Sequence, residues 1–431
     1  MKLVICEKPS VAKAVASALG VTSRADGCFE GNGLIVSWCV GHLVSPMDAA
    51  GYDPGYKKWK YDDLPILPEP FRYVLAKDKE DAFQNLKRLM DREDVTELVN
   101  ACDAGREGEL IFRLVYEMAG CRKPFSRLWI SSMEDAAIRE GFQNLRPGAE
   151  YDPLYQSALC RQKADWLIGI NATRLFSVLY HRTLNVGRVQ TPTLAMLVDR
   201  DWKISSFKKE KYHHVRLALD GAEAVSEKIA APEEAEALRA ACTGAAVTCT
   251  TVTREQKKEN PPKLYDLTSL QREANRLFGY TAKQTLDYAQ ALYEKKLLTY
   301  PRTDSRYLTA DMAESASAVL HLAARVPSFD GCKEFFPDVT LLVNDKKVSD
   351  HHAIIPTLEL EKASLSELPV GERNILLLVC RELLCAVAEP YVYEAVTATF
   401  TCGGQTFTAK GRRILSEGWR EIDHIFRTSL K

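Results

Sequence analysis

The amino-acid sequence predicts a multidomain protein that combines α/β and α+β domains. Short apolar runs followed by polar loops and helices occupy the first third of the chain, and a helical stretch comes next. Two strand-rich segments then flank a second group of helices. The length of 431 residues leaves room for two to four domains with buried cores.

The first 145 residues show the pattern of a parallel α/β domain. Lys2–Cys6 and residues 97–102 are short apolar runs, as expected for buried parallel strands. Each run is followed by a polar loop and then by a predicted helix, over about 9–19 in the first case and 107–119 in the second. Repetition of strand, loop and helix predicts strands that lie side by side in one sheet.

The next stretch is predicted to be helical and basic. Residues 151–201 read as helices, and residues 151–212 hold ten Lys and Arg against five Asp and Glu. The chain as a whole has a net charge of −1, which excludes a uniformly basic coat. A local basic surface is enough to bind nucleic acid, so that class of partner stays open.

Two strand-rich segments are separated by more than a hundred residues. Predicted strands at 213–219 and 246–253 surround an acidic helix near 232–241, and further strands are predicted at 394–402 and 405–409. We expect these two segments to be halves of one β domain. The segment KKENPPK, residues 257–263, is predicted to be a linker.

The intervening segment begins with two predicted helices, over 267–278 and 282–295. A short predicted strand over 295–300 follows them, and further helices are expected at 310–325 and 372–388. Helix, turn, helix and strand is the outline of a winged helix-turn-helix, a frequent DNA-binding layout. A plain helical hairpin is the alternative.

Charged side chains follow both predicted parallel strands. Glu7 and Lys8 come after the first, and Asp103, Glu107 and Glu109 come after the second. Ligands bind at the carboxyl ends of strands in open α/β sheets, and converging carboxylates suit a hard cation such as Mg²⁺. The alternative is that these are solvated loop charges.

A tyrosine is followed closely by an arginine in the segment TYPRTDS. Pro301 favours an extended conformation for Tyr300, so that Arg302 points to the same side as the tyrosine. A tyrosine hydroxyl beside a guanidinium can attack a phosphodiester and have the developing charge stabilised. A buried structural tyrosine in a turn is the alternative.

Two further segments carry polar side chains before apolar runs. Arg188, Gln190 and Thr191 precede a predicted helix and are candidates for phosphate or sugar contacts. His351 and His352 precede the run AIIPT, and a histidine pair on its own is more often a surface feature than a ligand pair.

Several functional classes are excluded by the sequence. There is no Walker A sequence, so an ATP-driven motor is not indicated. There is no apolar run long enough to span a membrane, and the first residues do not read as a signal peptide. The 12 cysteines include no CxxC pair, which argues against a zinc ribbon and for a reduced, cytosolic protein.

Taken together, the motifs resemble those of type IA DNA topoisomerases, and most closely the bacterial topoisomerase III branch. The resemblance follows the family's order through essentially the whole chain. It rests on CEKPSVAKAVASALG, ACDAGREGELIFRLVY, LNVGRVQTPTLAMLVDRD, LTYPRTDSRYL and HHAIIPT.

The resemblance implies the type IA topoisomerase fold. A Toprim domain is expected over residues 1–148 and a helical DNA-groove domain over 149–212. A β-rich arch is expected over 213–262 and 390–431, and a winged-helix domain with the active-site tyrosine over 263–389.

The resemblance also implies residue roles. Tyr300 is expected to cut one DNA strand and hold its 5′-phosphate, and Glu7 to act as general acid for the leaving 3′-oxygen. Mg²⁺ is the expected cofactor. The other expected catalytic residues are Lys8, Arg302 and His351, and the expected metal ligands are Glu7, Asp103 and Glu107. The expected DNA contacts are Arg161, Arg174, Arg188, Gln190, Thr191, Asp304 and Ser305.

The implied partner is DNA, at single-stranded regions of underwound or linked duplexes. The enzyme is expected to relax negative supercoils or decatenate DNA as a monomer, without ATP and without a membrane. Its expected location is the cytoplasm, with the nucleoid.

Two departures from the family pattern keep alternatives open. Gly105 stands where the acidic motif usually has an Asp, and the chain is shorter than the usual family core, so we expect it to be C-terminally incomplete. A truncated or degenerate paralogue that binds or nicks single-stranded DNA is one alternative. A Toprim primase or nuclease is another, but it gives Tyr300 no role.

Overall fold

The computed structural model describes residues 1–130, 133–330, 338–348 and 351–430. The chain divides into two compact units, each made of three segments. The first is Met1–Asp201, Asp266–Arg306 and Lys346–Leu376, and the second is Trp202–Tyr265, Tyr307–Asp345 and Leu377–Lys431. The four domain boundaries expected from the sequence stay predictions.

The strands and helices of the described residues are numbered in chain order. The strands are β1 (Lys2–Cys6), β2 (Ser23–Ala25), β3 (Cys28–Gly31), β4 (Leu34–Trp38), β5 (Val44–Pro46), β6 (Tyr73–Leu75), β7 (Glu97–Ala101), β8 (Phe125–Arg127), β9 (Arg146–Pro147), β10 (Arg216–Leu219), β11 (Ala222–Ser226), β12 (Thr248–Glu259), β13 (Tyr391–Cys402) and β14 (Gln405–Ser416). The α-helices are α1 (Pro9–Ala18), α2 (Ala49–Tyr52), α3 (Glu80–Asp91), α4 (Arg106–Met118), α5 (Asp135–Gln143), α6 (Asp152–Leu179), α7 (Gln190–Ser205), α8 (Pro232–Cys242), α9 (Leu267–Phe278), α10 (Ala282–Glu294), α11 (Ala313–Ala324), α12 (Val370–Ala386) and α13 (Trp419–Ser429).

The first unit contains a seven-stranded sheet in the order β2-β3-β4-β1-β7-β8-β9. Its central strand β1 is parallel to both neighbours, β4 and β7, and β7 is parallel to β8. Apolar residues of α1 and α5 pack on one face of this sheet, and apolar residues of α3 and α4 on the other. The parallel pairings confirm the predicted parallel α/β domain. The burial of both faces explains why its strands are almost continuously apolar.

Helices α9 and α10 have their ends fixed by local sequence. Asp266 caps α9 and Thr281 caps α10, each in a reciprocal capping box with the third helical residue. Gly279 ends α9 in the left-handed conformation, with φ at +71°. These signals explain why both helices lie where the sequence predicts them.

The second unit contains a five-stranded antiparallel sheet in the order β10-β11-β14-β13-β12. Strands from both predicted segments pair in it, with Glu259 of β12 opposite Tyr391 of β13. The expectation that the two strand-rich segments form one β structure is therefore confirmed. Its small core contains Leu217 and Phe407, with Leu238 of α8 packed against it.

Two local predictions were wrong and one strand was missed. Strand β11 was not expected, and the predicted linker begins later than residue 257, because β12 continues to Glu259. The predicted strand over 295–300 is only a bridge between Leu298 and Pro356. The Ile355 N–H donates to the Thr299 hydroxyl at 3.0 Å instead of to a backbone oxygen, so the ladder does not extend.

Among the described residues, no helix has both the length and the apolar character needed to cross a membrane.

Candidate active site

Two carboxylates meet at the carboxyl edge of the sheet in the first unit. Cys6 lies opposite Ala101 where β1 and β7 end together, and Glu7 and Asp103 follow within two residues. The Asp103 backbone N–H donates a hydrogen bond to the Glu7 carboxylate. Glu7 is 8% exposed, so the pair forms a mostly desolvated acidic site rather than a set of solvated loop charges.

The loop that carries Asp103 is fixed by hydrogen bonds from a buried arginine. Arg127 donates to the backbone oxygens of Cys102 and Asp103, both at 2.7 Å. Its Nε lies 3.1 Å from Glu109, which also accepts from Asn100 at 2.9 Å. Glu109 was expected among the loop carboxylates that could bind a cation. It is instead a buried structural partner, because α4 turns its side chain into the core.

A close helix approach also fixes this loop. A Cβ at Gly108 would lie 2.1 Å from the Asp103 carbonyl oxygen, so α4 can begin this near the loop only with glycine there.

Tyr300 lies against the acidic pair. Its hydroxyl donates a hydrogen bond of 3.2 Å to Asp103 Oδ2. Its ring centroid is 5.3 Å from that of Tyr293 and 4.4 Å from that of His351. These contacts leave Tyr300 8% exposed and aim its oxygen at the cleft where Glu7 lies.

Positive charge is placed beside these oxygens. The exposed Arg302 hydrogen-bonds the Tyr300 side chain, as its position two residues later predicts. Lys8 lies 3.7 Å from Glu294 of α10, and its charge lowers the pKa of both Glu7 and Asp103. Arg302 can therefore contact a phosphate that enters the cleft, and the charge of Lys8 acts from beside the acidic pair.

Burial sets the protonation of the acidic pair and the tyrosine. It raises the pKa of Glu7 to about 7, helped by the charge of Asp103 and opposed by Lys8 and Arg302. Burial also raises the pKa of Asp103 and of Tyr300. Near neutral pH, Glu7 is thus divided between an acid that can give a proton and a base that can take one.

His351 is a neutral neighbour of the tyrosine. Its Nε2 contacts the Ala104 carbonyl oxygen, and its own backbone oxygen accepts from Thr303 Oγ1 at 2.9 Å. Burial lowers the pKa of His351 to about 4, so the ring is uncharged at neutral pH. His352 is also buried and turns its Nδ1 to the backbone oxygen of Ala353.

A cleft of about 480 Å³ is lined by Glu7, Asp103, Tyr300, Arg302 and His351. Its walls include residues that the sequence did not single out, Asp266 and Thr268 at the start of α9. Asp266 already accepts from the Ser269 N–H at 2.6 Å as the helix cap. The capping pattern predicts that role, and no local pattern predicts that the helix start faces the cleft.

Two of the three expected metal ligands, Glu7 and Asp103, lie close enough together to bind one cation without moving. Glu7 and Asp103 present neighbouring carboxylate oxygens, the donor type that Mg²⁺ prefers. Glu107 instead lies 2.8 Å from Arg161 and 3.7 Å from His42. Over the described residues no group of three or more His, Cys, Asp or Glu side chains is arranged to hold a metal ion.

The structure brings some of the expected DNA contacts to the cleft and not others. Asp304 and Arg161 line it. Ser305 is buried, and its hydroxyl donates to the Lys347 carbonyl oxygen at 2.9 Å. Arg174 is 4% exposed and donates to the Tyr56 carbonyl oxygen at 2.9 Å, so its guanidinium is enclosed within the fold.

The remaining expected contacts lie at the start of α7. Gln190 and Thr191 are exposed in its first turn, where Thr191 Oγ1 accepts from the Gly187 N–H at 3.0 Å. Arg188 lies just before this helix and binds Asp165 of α6, with Nε 2.5 Å from Oδ1. Asp165 was not predicted, because nothing in the helical pattern of α6 distinguishes it from a solvated acid.

Family comparisons agree with the motifs. Residues 149–429 match the DNA topoisomerase family, and residues 2–133 match the Toprim domain, a metal-binding domain in general. The chain therefore belongs to the DNA topoisomerase family, and its motifs are those of the type IA branch. The resemblance predicted from the sequence is confirmed.

Two curated relatives of the chain are both DNA topoisomerase 3 proteins. The chain is 42% identical over 434 residues to DNA topoisomerase 3 of Shouchella clausii, and 41% identical over 432 residues to DNA topoisomerase 3 of Bacillus subtilis. In both cases 97% of this chain is aligned, and it spans 59% of the relative's length.

A solved structure has the same fold. Full-length topoisomerase I from Thermotoga maritima superposes with a TM-score of 0.73 at 23% identity, covering 97% of this chain and 67% of that protein. The predicted fold class, that of a type IA topoisomerase, is confirmed by this match.

Proposed function

We propose that this chain carries the strand-cleaving and resealing centre of a type IA DNA topoisomerase. The observation that carries the proposal is the 3.2 Å hydrogen bond from the Tyr300 hydroxyl to Asp103, beside the buried carboxyl of Glu7. A nucleophile, a proton acceptor and a proton donor for phosphodiester exchange are thus in one cleft.

Cleavage begins at Tyr300. Its oxygen attacks the phosphorus of a single DNA strand, and its proton passes to Asp103 Oδ2. The bond between phosphorus and the 3′-oxygen breaks as the tyrosine–phosphorus bond forms. Protonated Glu7 gives its proton to the leaving 3′-oxygen, so the products are a 5′-phosphotyrosine and a free 3′-hydroxyl.

Resealing reverses each transfer. The 3′-hydroxyl attacks the phosphotyrosine, Glu7 takes the proton of that hydroxyl, and Tyr300 regains its own from Asp103. One phosphodiester is exchanged for another of similar energy. The proposed reaction therefore needs no ATP.

Charge on the phosphate is met by Arg302 in the cleft and by Lys8 near it. Arg302 contacts the tyrosine side chain and is placed for the phosphate oxygens, and Lys8 lies beside the acidic pair. Bound Mg²⁺ supplies further charge stabilisation. Asp103 would hold it, Glu107 could join after leaving Arg161, and Glu7 could join when its carboxyl is deprotonated.

The proposed substrate is the single-stranded region of an underwound or linked DNA, bound by a monomer in the cytoplasm with the nucleoid. Passage of a second strand through the cut would relax or decatenate that DNA. The alternative of a degenerate DNA-binding paralogue is not favoured, because Tyr300, Asp103 and Glu7 are all present and in mutual reach.

Relaxation of plasmid DNA tests the whole proposal. With Mg²⁺ and no nucleotide, we expect negatively supercoiled plasmid to be converted to relaxed topoisomers on an agarose gel. Formation of a covalent adduct without any relaxation would mean that the chain cuts DNA but does not complete strand passage. Failure to form an adduct would overturn the proposal.

A further inference from the structure

The carboxylate of Asp165 forms an ion pair with Arg188, the arginine that the sequence singles out before α7. Asp165 binds Arg188 through two parallel contacts, Oδ1 to Nε at 2.5 Å and Oδ2 to Nη2 at 3.2 Å. Paired oxygens on a guanidinium are also the geometry in which arginine binds phosphate. Asp165 therefore stands where a DNA phosphate would bind Arg188.

The same carboxylate reaches a second cation. Asp165 Oδ2 lies 3.8 Å from Nε of Arg161, one helical turn earlier in α6. Arg161 in turn binds Glu107 at 2.8 Å. Two arginines and two carboxylates thus form a chain without net charge, although sequence counting assigns a basic surface to this part of the protein.

A DNA phosphate can replace Asp165 as the partner of Arg188, because this ion pair is open to solvent. The side chains of Arg188 and Asp165 are 40% and 41% exposed, and solvated ion pairs of this kind are weak. Asp165 also stays near any phosphate that replaces it, because α6 holds its backbone. It would then repel the bound strand at short range.

We propose that Asp165 is a positioning residue for single-stranded DNA. In the free protein it holds the Arg188 guanidinium in place, and in the bound protein its charge weakens the phosphate contact so that the strand can leave. This inference rests on the proposed function, since it takes a DNA strand as the ligand of Arg188.

The test measures binding without cleavage. A fluorescently labelled single-stranded oligonucleotide is titrated, with anisotropy as the readout, into the full chain carrying Tyr300→Phe. Adding Asp165→Asn is expected to tighten binding about threefold to tenfold at low salt. The slope of log K against log salt should become steeper by about 0.7, the value for one more phosphate neutralised on a single strand.

Matched variants separate this role from a general charge effect. Asp165→Glu keeps the carboxylate and should bind as the parent does. Asp81→Asn removes an exposed charge of α3 that has no ion-pair partner among the described residues, and should change affinity by less than about twofold. Unchanged thermal unfolding of Asp165→Asn would show that its fold is intact.

A double-mutant cycle with Arg188→Gln decides the inference. The gain from Asp165→Asn should disappear in the Arg188→Gln background, because the carboxylate acts through that arginine. An Asp165→Asn variant that binds no tighter, or a gain that persists without Arg188, would overturn the inference alone. If the parent protein binds no single-stranded DNA, the proposed function fails with it.

Discussion

The Tyr300 hydroxyl and the Asp103 carboxylate are joined by a hydrogen bond of 3.2 Å, although 197 positions separate them in the sequence. The bond joins the proposed nucleophile to its proposed proton acceptor. Both residues lie within the first unit.

Replacing Tyr300 with phenylalanine should abolish the covalent adduct, because the variant lacks the attacking oxygen. When a single-stranded oligonucleotide labelled at its 3′ end is incubated with the wild-type protein, the label should migrate with the protein on a denaturing gel. The same oligonucleotide labelled at its 5′ end should give a shortened, protein-free fragment. Label transfer from the 5′ end would contradict attachment through the 5′-phosphate.

Tyr293→Phe is the matched control for that variant. Tyr293 packs edge-to-face on Tyr300 at 5.3 Å but belongs to the buried core and is not among the residues that line the cleft. Its variant should still form the adduct, and loss of the adduct in both variants would point to damaged packing instead of a lost nucleophile.

Glu7→Gln should slow cleavage by about 10²–10⁴-fold, the range for loss of a general acid. A substrate with sulfur in place of the bridging 3′-oxygen tests the reason, because a thiolate leaves without protonation. We expect this substrate to restore adduct formation by Glu7→Gln and not by Tyr300→Phe. Equal slowing on both substrates would show that Glu7 has another role.

The same variant should be more stable than the wild type at alkaline pH. Burial raises the pKa of Glu7 from 4.5 to about 7, so its charged form is disfavoured in the fold. The wild type therefore loses up to about 3 kcal/mol between pH 4.5 and 7, and Glu7→Gln does not. Urea unfolding at pH 4.5 and pH 8 should show the difference growing with pH, and a constant difference would contradict this pKa.

Gly105→Asp should fold and bind Mg²⁺ more tightly, by roughly threefold to tenfold, because it adds a carboxylate to the acidic loop. A Cβ at Gly105 meets no atom within 4 Å, and its backbone is extended, which any residue can adopt. Calorimetric titration with Mg²⁺ measures the change. An unaltered affinity would mean that residue 105 does not face the metal.

Gly108→Ala is the contrasting variant. Its Cβ would clash with the Asp103 carbonyl oxygen, so we expect a loss of about 1–3 kcal/mol in the free energy of unfolding. Two glycines three residues apart thus differ in what they permit, and an Ala variant as stable as the wild type would show that the loop can move.

Much of the fold could be predicted because its signals are local. The apolar run Lys2–Cys6 and the caps Asp266 and Thr281 each act within a few residues. The meeting of Glu7 with Asp103 also follows from the strand pattern, since neighbouring parallel strands end at one edge.

The rest depends on contacts between distant segments. Glu107 and Glu109 look alike in the sequence, and only the packing of α4 separates them. Glu109 turns inward to Arg127, and Glu107 turns outward to Arg161 of α6. Asp165 could not be singled out, because its partner Arg188 lies 23 positions away in another segment.

The pairing of β12 with β13 has a consequence for synthesis of the chain. Thr250 bonds to Thr399, 149 residues later, so β12 leaves the ribosome long before its partner exists. At ~5–20 residues per second the delay is roughly 7–30 s. During that time the backbone N–H and C=O groups of β12 have no partner strand. We expect its charged end, Arg254 to Glu259, to disfavour pairing with strands of other nascent chains.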